Sequence, residues 1–278
     1  MTNHPQKDQE CRPEEDFPYS ANYDDALLAE LYDQQETDSE DVAFLLRLIG
    51  GLGGLRILEP FSGTGRILVP LVEAGHDVTG IELAAAMNER AAARIAELPM
   101  ECRRRTHLRV EDVLTCDWGT GYDVVVLGGN AMYELPSEEA QRLCIRRAAE
   151  ALRPGGYLYV DNNDYQGGWE DGPFHEPWSV IEGTGEGGAH GRLEMVMLSF
   201  DTEPRVLHME RRWTVRSPDG RERTRAYQAR KRPVTSAEVR TWLSENSLVI
   251  HHAFADHRGT LHTGASQRAV FWVGKPLG

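Results

Sequence analysis

The sequence predicts an α/β protein: a doubly wound, mostly parallel sheet interrupted by a block of antiparallel strands. Three observations carry this expectation. From Leu55 onward, short apolar runs alternate with helical patterns, the order that builds βαβ units. A glycine turn, Ser62-Gly-Thr-Gly65, joins the first apolar run to the first helical stretch. Past residue 166 the alternation gives way to consecutive strand patterns, and it resumes at Thr235.

Residues 55–60 read as a first strand, followed by a helix that runs to Ala74 and stops at Gly75. Residues 77–82 form a second strand and 84–98 a helix rich in Ala, Glu and Arg. Third and fourth strands are expected at 106–110 and 122–127, then a helix over 137–152. That helix should end in a turn at Arg153-Pro-Gly-Gly156, because proline cannot continue it and glycine permits the turn. Residues 157–161 are the fifth strand and 167–191 a loop. Strands at 192–199, 206–215 and 221–229 follow, the last two joined by the turn Ser217-Pro-Asp-Gly220. Thr235-Ser-Ala-Glu238 is a capping-box start for a helix to about Asn246. Strands at 248–255 and 268–273 close the chain. The expected organisation is a mobile arm over 1–20, a core over 21–165 and 233–278, and an inserted β block over 166–232.

The 278 residues, 40% hydrophobic and 27% charged, suffice for a packed core, and no apolar run approaches the ~20 residues of a membrane span. A membrane is therefore not an expected partner. The start is polar, with neither part of a signal peptide. Cys11, Cys102, Cys116 and Cys144 lie far apart with no C-x-x-C spacing, which reads as free thiols in a reducing cytoplasm. The net charge of −14 repels polyphosphate, so nucleic acid is not an expected partner and a small molecule is.

The strongest motif is Glu59-Pro-Phe-Ser-Gly63-Thr-Gly65 between a strand and a helix. Its glycines let the backbone turn tightly and approach a ligand, while the helix start offers unpaired N–H groups. A dinucleotide fingerprint needs Gly or Ala three residues past the second glycine, where this chain has Leu68. Glu59 would repel a pyrophosphate but can face a cationic ligand. Glu82 ends the second strand, where a carboxylate can accept both hydroxyls of a ribose; a solvated strand-end acid is the alternative. Glu111-Asp112 follows the third strand and can accept an adenine amino group, or serve as plain loop acids.

These residues make the chain resemble a class I S-adenosylmethionine-dependent methyltransferase, and within that class glycine N-methyltransferase and related small-molecule N-methyltransferases. The resemblance rests on residues 57–87, Asp112, the strand ending in Leu127 and Leu152-Arg-Pro-Gly-Gly156, and covers roughly Tyr23 to the C-terminus. It implies a Rossmann-like seven-stranded sheet with its last strand inserted antiparallel, an antiparallel β lid, and S-adenosyl-L-methionine leaving as S-adenosyl-L-homocysteine. Carried over by position, Gly63 and Gly65 form the glycine loop and Glu82 holds the ribose. Met87 and Asp112 flank the adenine, with Val113 offering a backbone N–H. Glu59 stands where Asp is commoner, and Tyr32 belongs to the N-terminal cover or to ordinary helix packing. Ser62, Leu83 and Gly129 complete the implied cofactor set.

On the acceptor side, Gly129-Asn-Ala-Met-Tyr-Glu-Leu135 and Val160-Asp-Asn-Asn-Asp-Tyr165 are similar to the loops that family places near the transferred methyl. Asn130 or Tyr133 is expected to hold the hydrogens of an amine, and Asp164 or Glu134 to act as base for a harder acceptor. The family's glycine-binding arginine falls on Asn163, an amide in place of a bidentate fork, which argues against glycine itself. Its upstream arginine for the methionine carboxylate falls near Ser39, leaving that contact unassigned. The expected activity is methyl transfer to a small acceptor, an amine first. The alternatives are O- or C-methyl transfer, or cofactor binding without transfer. Residues 205–232 hold ten basic against three acidic residues, with Arg221, Arg223 and Arg225 expected on one strand face. That strip is either a solvated edge-protecting face or a grip on an anionic substrate. His251 and His252 would point to opposite faces, so no metal is expected with them, His257 and His262.

Overall fold

In a computed structural model, residues 25–51 and 53–277 are described. The expected arm over 1–20, Cys11 and Tyr23 lie outside them. Two helices come first, α1 Ala26–Gln35 and α2 Glu40–Ile49. The α/β run follows: β1 Arg56–Pro60, α3 Leu68–Glu73, β2 Asp77–Glu82, α4 Ala85–Ala96, α5 Met100–Arg104, β3 Thr106–Val110 and β4 Tyr122–Leu127. A 3-10 turn, Ala131–Glu134, leads to α6 Glu138–Ala151 and β5 Leu152–Asn163. The inserted strands are β6 Pro177–Thr184, β7 His190–Asp201, β8 Val206–Arg216 and β9 Glu222–Lys231. Then come α7 Ser236–Glu245, β10 Val249–Phe254 and β11 Arg268–Gly274.

Seven strands form one sheet in the order β10-β11-β5-β4-β1-β2-β3, with β11 antiparallel to both its neighbours. The inserted strands form a separate antiparallel sheet, β6-β7-β8-β9. Side chains alternate across the large sheet. Ile57, Val124, Val126 and Tyr159 pack with α2 and α3, while Leu58, Val125, Leu127 and Leu158 pack with α6 and α7. Burial on both faces is why these strands read as continuous apolar runs. The capping box at the start of α7 forms as the sequence predicts, Thr235 and Glu238 each bonding the other's backbone N–H.

Three features differ from the sequence reading. Residues 152–156 belong to β5 rather than preceding it: Leu152 takes ψ 137° as α6 ends, Gly155 has φ 73° where the register against β4 shifts, and Gly155 N–H donates to Lys275 O while Lys275 N–H donates to Gly156 O, both at 2.9 Å. The C-terminal segment thus zips onto this stretch. Part of the expected 167–191 loop is β6 and the start of β7, and a glycine on each serves packing. A Cβ on Gly183 would stand 2.8 Å from Leu31 Cδ2, and one on Gly191 2.2 Å from Trp213 Cη2. These gaps let α1 lie against the small sheet through Leu28, Leu31, Leu193 and Trp213. Helices α2 and α5 are also additions. The α2 signal is local: acidic Glu40 and Asp41 in its first turn, and Gly50 in a left-handed conformation at its end. On its other side α1 meets α4 through Ala29, Ala84, Ala86 and Met87, with Tyr32 packed beside them.

Candidate active site

The crevice lies beyond the C-terminal ends of β1, β2 and β4, where the strand order reverses, the place open α/β sheets bind ligands. The loop after β1 is built by its own backbone: Gly65 N–H donates to Ser62 O at 2.9 Å, and Ser62 N–H to Ile81 O at 3.0 Å. Gly63 and Gly65 have φ of 53° and 80°. A Cβ on Gly65 would also come within 3.2 Å of Ala91 Cβ, so this glycine sets how closely the loop approaches α4. Gly80 on β2 passes directly beneath, its ideal Cβ 2.7 Å from Ser62 Oγ.

Three carboxylates and one guanidinium face the crevice: Glu59, Glu82, Glu134 and Arg66. Glu82 is pinned by backbone, accepting from Gly63 N–H at 3.0 Å and Ala84 N–H at 2.8 Å. Burial raises its pKa, against the pull of those N–H groups. Glu59 is 3% exposed, and burial holds its pKa well above the usual carboxylate range despite Arg66 nearby. Among the described residues, Glu59 Oε2, Ser62 Oγ and Thr64 Oγ1 are buried without a hydrogen-bond partner. All three residues line the crevice, so a ligand with cationic and hydroxyl groups fits this donor and acceptor set. Arg66 forks onto Asp41, both contacts at 2.7 Å, and donates to Asp38 O. Its pKa is raised, first by that pairing. For Glu134, burial pushes upward but Lys231 and Arg211 prevail, holding it down at about 2. Arg211 donates to Glu134 Oε2 at 3.1 Å and Lys231 bonds Oε1.

Of the residues singled out in the sequence, Tyr32, Glu59, Ser62, Gly63, Glu82, Leu83, Met87, Val113 and Gly129 line the crevice. Gly65 shapes the loop from behind, and Asp112 Oδ1 accepts Leu114 N–H beside Val113. Asn130 is left-handed, φ 64°, with its Oδ1 accepting Asn163 N–H at 2.9 Å and its own N–H donating to Asp161 O. It stitches the loop after β4 to the end of β5. Tyr133 is buried, its ring edge-on to Trp169, and burial raises its phenol pKa. Asp164 does not face the crevice. Its oxygens take Ser236 N–H at 2.7 Å and His262 Nε2 at 3.0 Å, so it caps α7 and anchors the β10–β11 loop. Glu134 lines the crevice, where Lys231 and Arg211 hold its carboxyl below the usual carboxylate range. Arg221 falls in the turn before β9 and pairs with Asp219, leaving Arg223 and Arg225 as the strand's shared face.

Sequence reasoning missed Arg66 as a crevice residue. Its signal was position: it directly follows Gly65, whereas the search for a carboxylate ligand looked upstream, near Ser39. The histidines take separate partners, His257 with Asp161 and His262 with Asp164, while His251 lies by Tyr157 and His252 by Phe254.

Residues 61–158 match the family model described as a methyltransferase domain. The chain is 30% identical over 148 residues to glycine N-methyltransferase of Rattus norvegicus, covering 48% of each protein. It is 29% identical over 168 residues to dTDP-4-amino-2,3,4,6-tetradeoxy-D-glucose N,N-dimethyltransferase of Saccharopolyspora spinosa, covering 59% of each. The alignments thus span about half the length of these curated relatives. Among solved structures, the CcbJ methyltransferase of Streptomyces caelestis superposes with a TM-score of 0.69 at 21% identity, over 94% of this chain and 100% of that one. Residues 61–158 thus match a methyltransferase domain, and with its sheet order the chain has the fold of the class I S-adenosylmethionine-dependent methyltransferases.

Proposed function

We propose that this chain transfers a methyl group from S-adenosylmethionine to an amine nitrogen of a small acceptor. The observation that carries the reading is the charge map of the crevice, three carboxylates and one guanidinium around unpartnered buried oxygens. Glu82 would hold the ribose hydroxyls, Glu59 the ammonium, and Arg66 the carboxylate, in the role left unassigned near Ser39. Leu83, Met87 and Val113 would enclose the adenine, with Tyr32 as cover. When bound, S-adenosylmethionine supplies an electrophilic methyl on a sulfonium centre.

The protein's part is to hold the acceptor in line and exclude water. Asn130 is a positioning residue: it fixes the loop that carries Gly129 and Glu134, and no described group bonds its Nδ2. Tyr133 stays protonated and is therefore a donor rather than a base. Glu82 is occupied by backbone N–H groups, Glu59 sits under the glycine loop, and Glu134 is held ionised by its cations. Among the described crevice residues no strong proton acceptor is thus aimed at the acceptor end, which favours a neutral amine, able to attack before it loses a proton, over a hydroxyl. Both curated relatives named above are N-methyltransferases, which supports the same reading. The free cysteines Cys102, Cys116 and Cys144 support a cytoplasmic setting.

Matched amines and alcohols should be compared for formation of S-adenosylhomocysteine. Amines should turn over and their hydroxyl analogues run at least a hundredfold slower. Faster turnover of alcohols would overturn nitrogen as the acceptor atom. Tight cofactor binding with no turnover on any acceptor would leave a binding protein.

A further inference from the structure

The loop that joins β3 to β4 is held from a helix as well as from its own strands. Glu111 N–H donates to Glu82 O at 3.1 Å, which ties the start of the loop to the end of β2. Asp112 then closes a tight turn. Its carbonyl takes the N–H groups of Thr115 and Cys116, at 3.0 and 2.8 Å, and its Oδ1 takes Leu114 N–H at 2.8 Å. The next carbonyl, that of Val113, accepts from two side chains, Trp118 Nε1 at 2.9 Å and Arg147 at 3.1 Å. Arg147 also donates to Cys116 O. It stands on α6, 34 residues beyond Val113. Arg142 and Arg146 of the same helix pair at the surface with Glu138, Glu245 and Glu150. Arg147 is half-buried and directs one terminal nitrogen at two carbonyls of this loop, bonds that its positive charge strengthens.

We propose that Arg147 and Trp118 are positioning residues that make the cofactor crevice selective for adenine over other purines. This rests on the reading in which Asp112 accepts the adenine amino group and Val113 N–H donates to the ring. The peptide between Val113 and Leu114 is planar, so fixing its carbonyl also fixes the direction of its N–H. That N–H holds Asp112 Oδ1, so Arg147 and Trp118 set the rotamer of the carboxylate through one rigid plane. Val113 lines the crevice, whereas Arg147 and Trp118 stand behind its wall. A purine with a carbonyl in place of the amino group turns an acceptor toward Asp112 and a protonated ring nitrogen toward Val113 N–H. A loop free to swing would relieve both mismatches, and a loop held in place cannot. The two side chains supply that hold.

The test is calorimetry with S-adenosylhomocysteine and with S-inosylhomocysteine, whose base carries that carbonyl. Wild type should favour the adenosyl compound by about thirtyfold or more. Arg147→Gln should cut that preference by about fivefold or more. Trp118→Phe removes the other donor and keeps a ring in the core, so it should lower the preference in the same direction and carries the test if Arg147→Gln does not fold. Arg142→Gln, exposed on the same helix, should change the preference by less than about twofold. A wild-type chain that binds neither compound overturns the methyltransferase reading and this role together. One that binds both equally overturns the placing of adenine against Asp112 and Val113, and the role with it. Full preference retained in Arg147→Gln and Trp118→Phe overturns the positioning role alone. So does an equal loss of affinity for both compounds, which is what a merely structural role produces.

Discussion

A carboxyl group buried beneath a glycine loop, one oxygen bonded to none of the described residues, costs stability unless a ligand answers it. Glu59 is in that position. Its pKa is raised, so the folded chain holds this proton more tightly than the unfolded chain does. The associated stability is therefore fully present below the ordinary carboxylate value and is lost as pH rises through the folded value. Glu59→Gln should remove the loss. Without ligand, its melting temperature should exceed wild type by a few degrees at pH 8, and by less at pH 5, following about 2–4 °C per kcal/mol for a chain near this size. The same substitution should weaken S-adenosylmethionine by about tenfold or more, since it removes a charge-assisted hydrogen bond worth roughly 1.5–3 kcal/mol. A variant less stable than wild type at both pH values would show that the carboxyl is already satisfied within the protein.

At the scale of elements, the small sheet is fastened to the core by two acids. Glu134, on the 3-10 turn, bonds Arg211 of β8 and Lys231 of β9. Glu238, in the first turn of α7, bonds Arg205 and Arg232. Arg232 is buried, donating to Gln141 Oε1 at 2.7 Å while its carbonyl accepts from Gln141 Nε2 at 2.8 Å, a hinge pin at the end of β9. Burial pushes both acids upward, but their cations bring each down to about 2. Depressed values mean stability present above the unfolded pKa of about 4.5 and lost as pH falls toward 2. Hydrogen exchange, corrected for its intrinsic pH dependence, should therefore quicken in β8 and β9 between pH 5 and pH 3 before it does in β4 and β5. Glu134→Gln should reproduce the effect at pH 7, by about tenfold. Simultaneous loosening of both sheets would refute an independent fastening. The hinge was legible only in part: the capping box was a local pattern, but Gln141 and Arg232 lie 91 residues apart.

At the scale of the molecule, a net charge of −14 surrounds one basic strip. The overall field opposes long polyanions. None of the described helices is long and apolar enough to cross a membrane. At physiological salt, RNA and duplex DNA should bind no better than the weak nonspecific range of ~10⁻⁴ M, as gel-shift and salt-titration measurements would show. Submicromolar affinity would assign the strip to nucleic acid instead.

Sequence by itself determined the large sheet, the glycine turn and the capping box that restarts the core at Thr235. Period-two burial, positive-φ glycines and capping residues act over a few positions, so their signals survive without tertiary context. Even there, the place of 152–156 within β5 escaped, because it depends on pairing with Lys275, more than a hundred residues on. Only the tertiary structure decided that glycines in an apparent loop make room for α1, and that Asp164 caps a helix 72 residues away. It alone brought Arg66, a crevice residue, to Asp41, and set the lid's arginines on opposite faces of one sheet. Those outcomes depend on register and on contacts between distant segments, which a single strand's pattern does not contain.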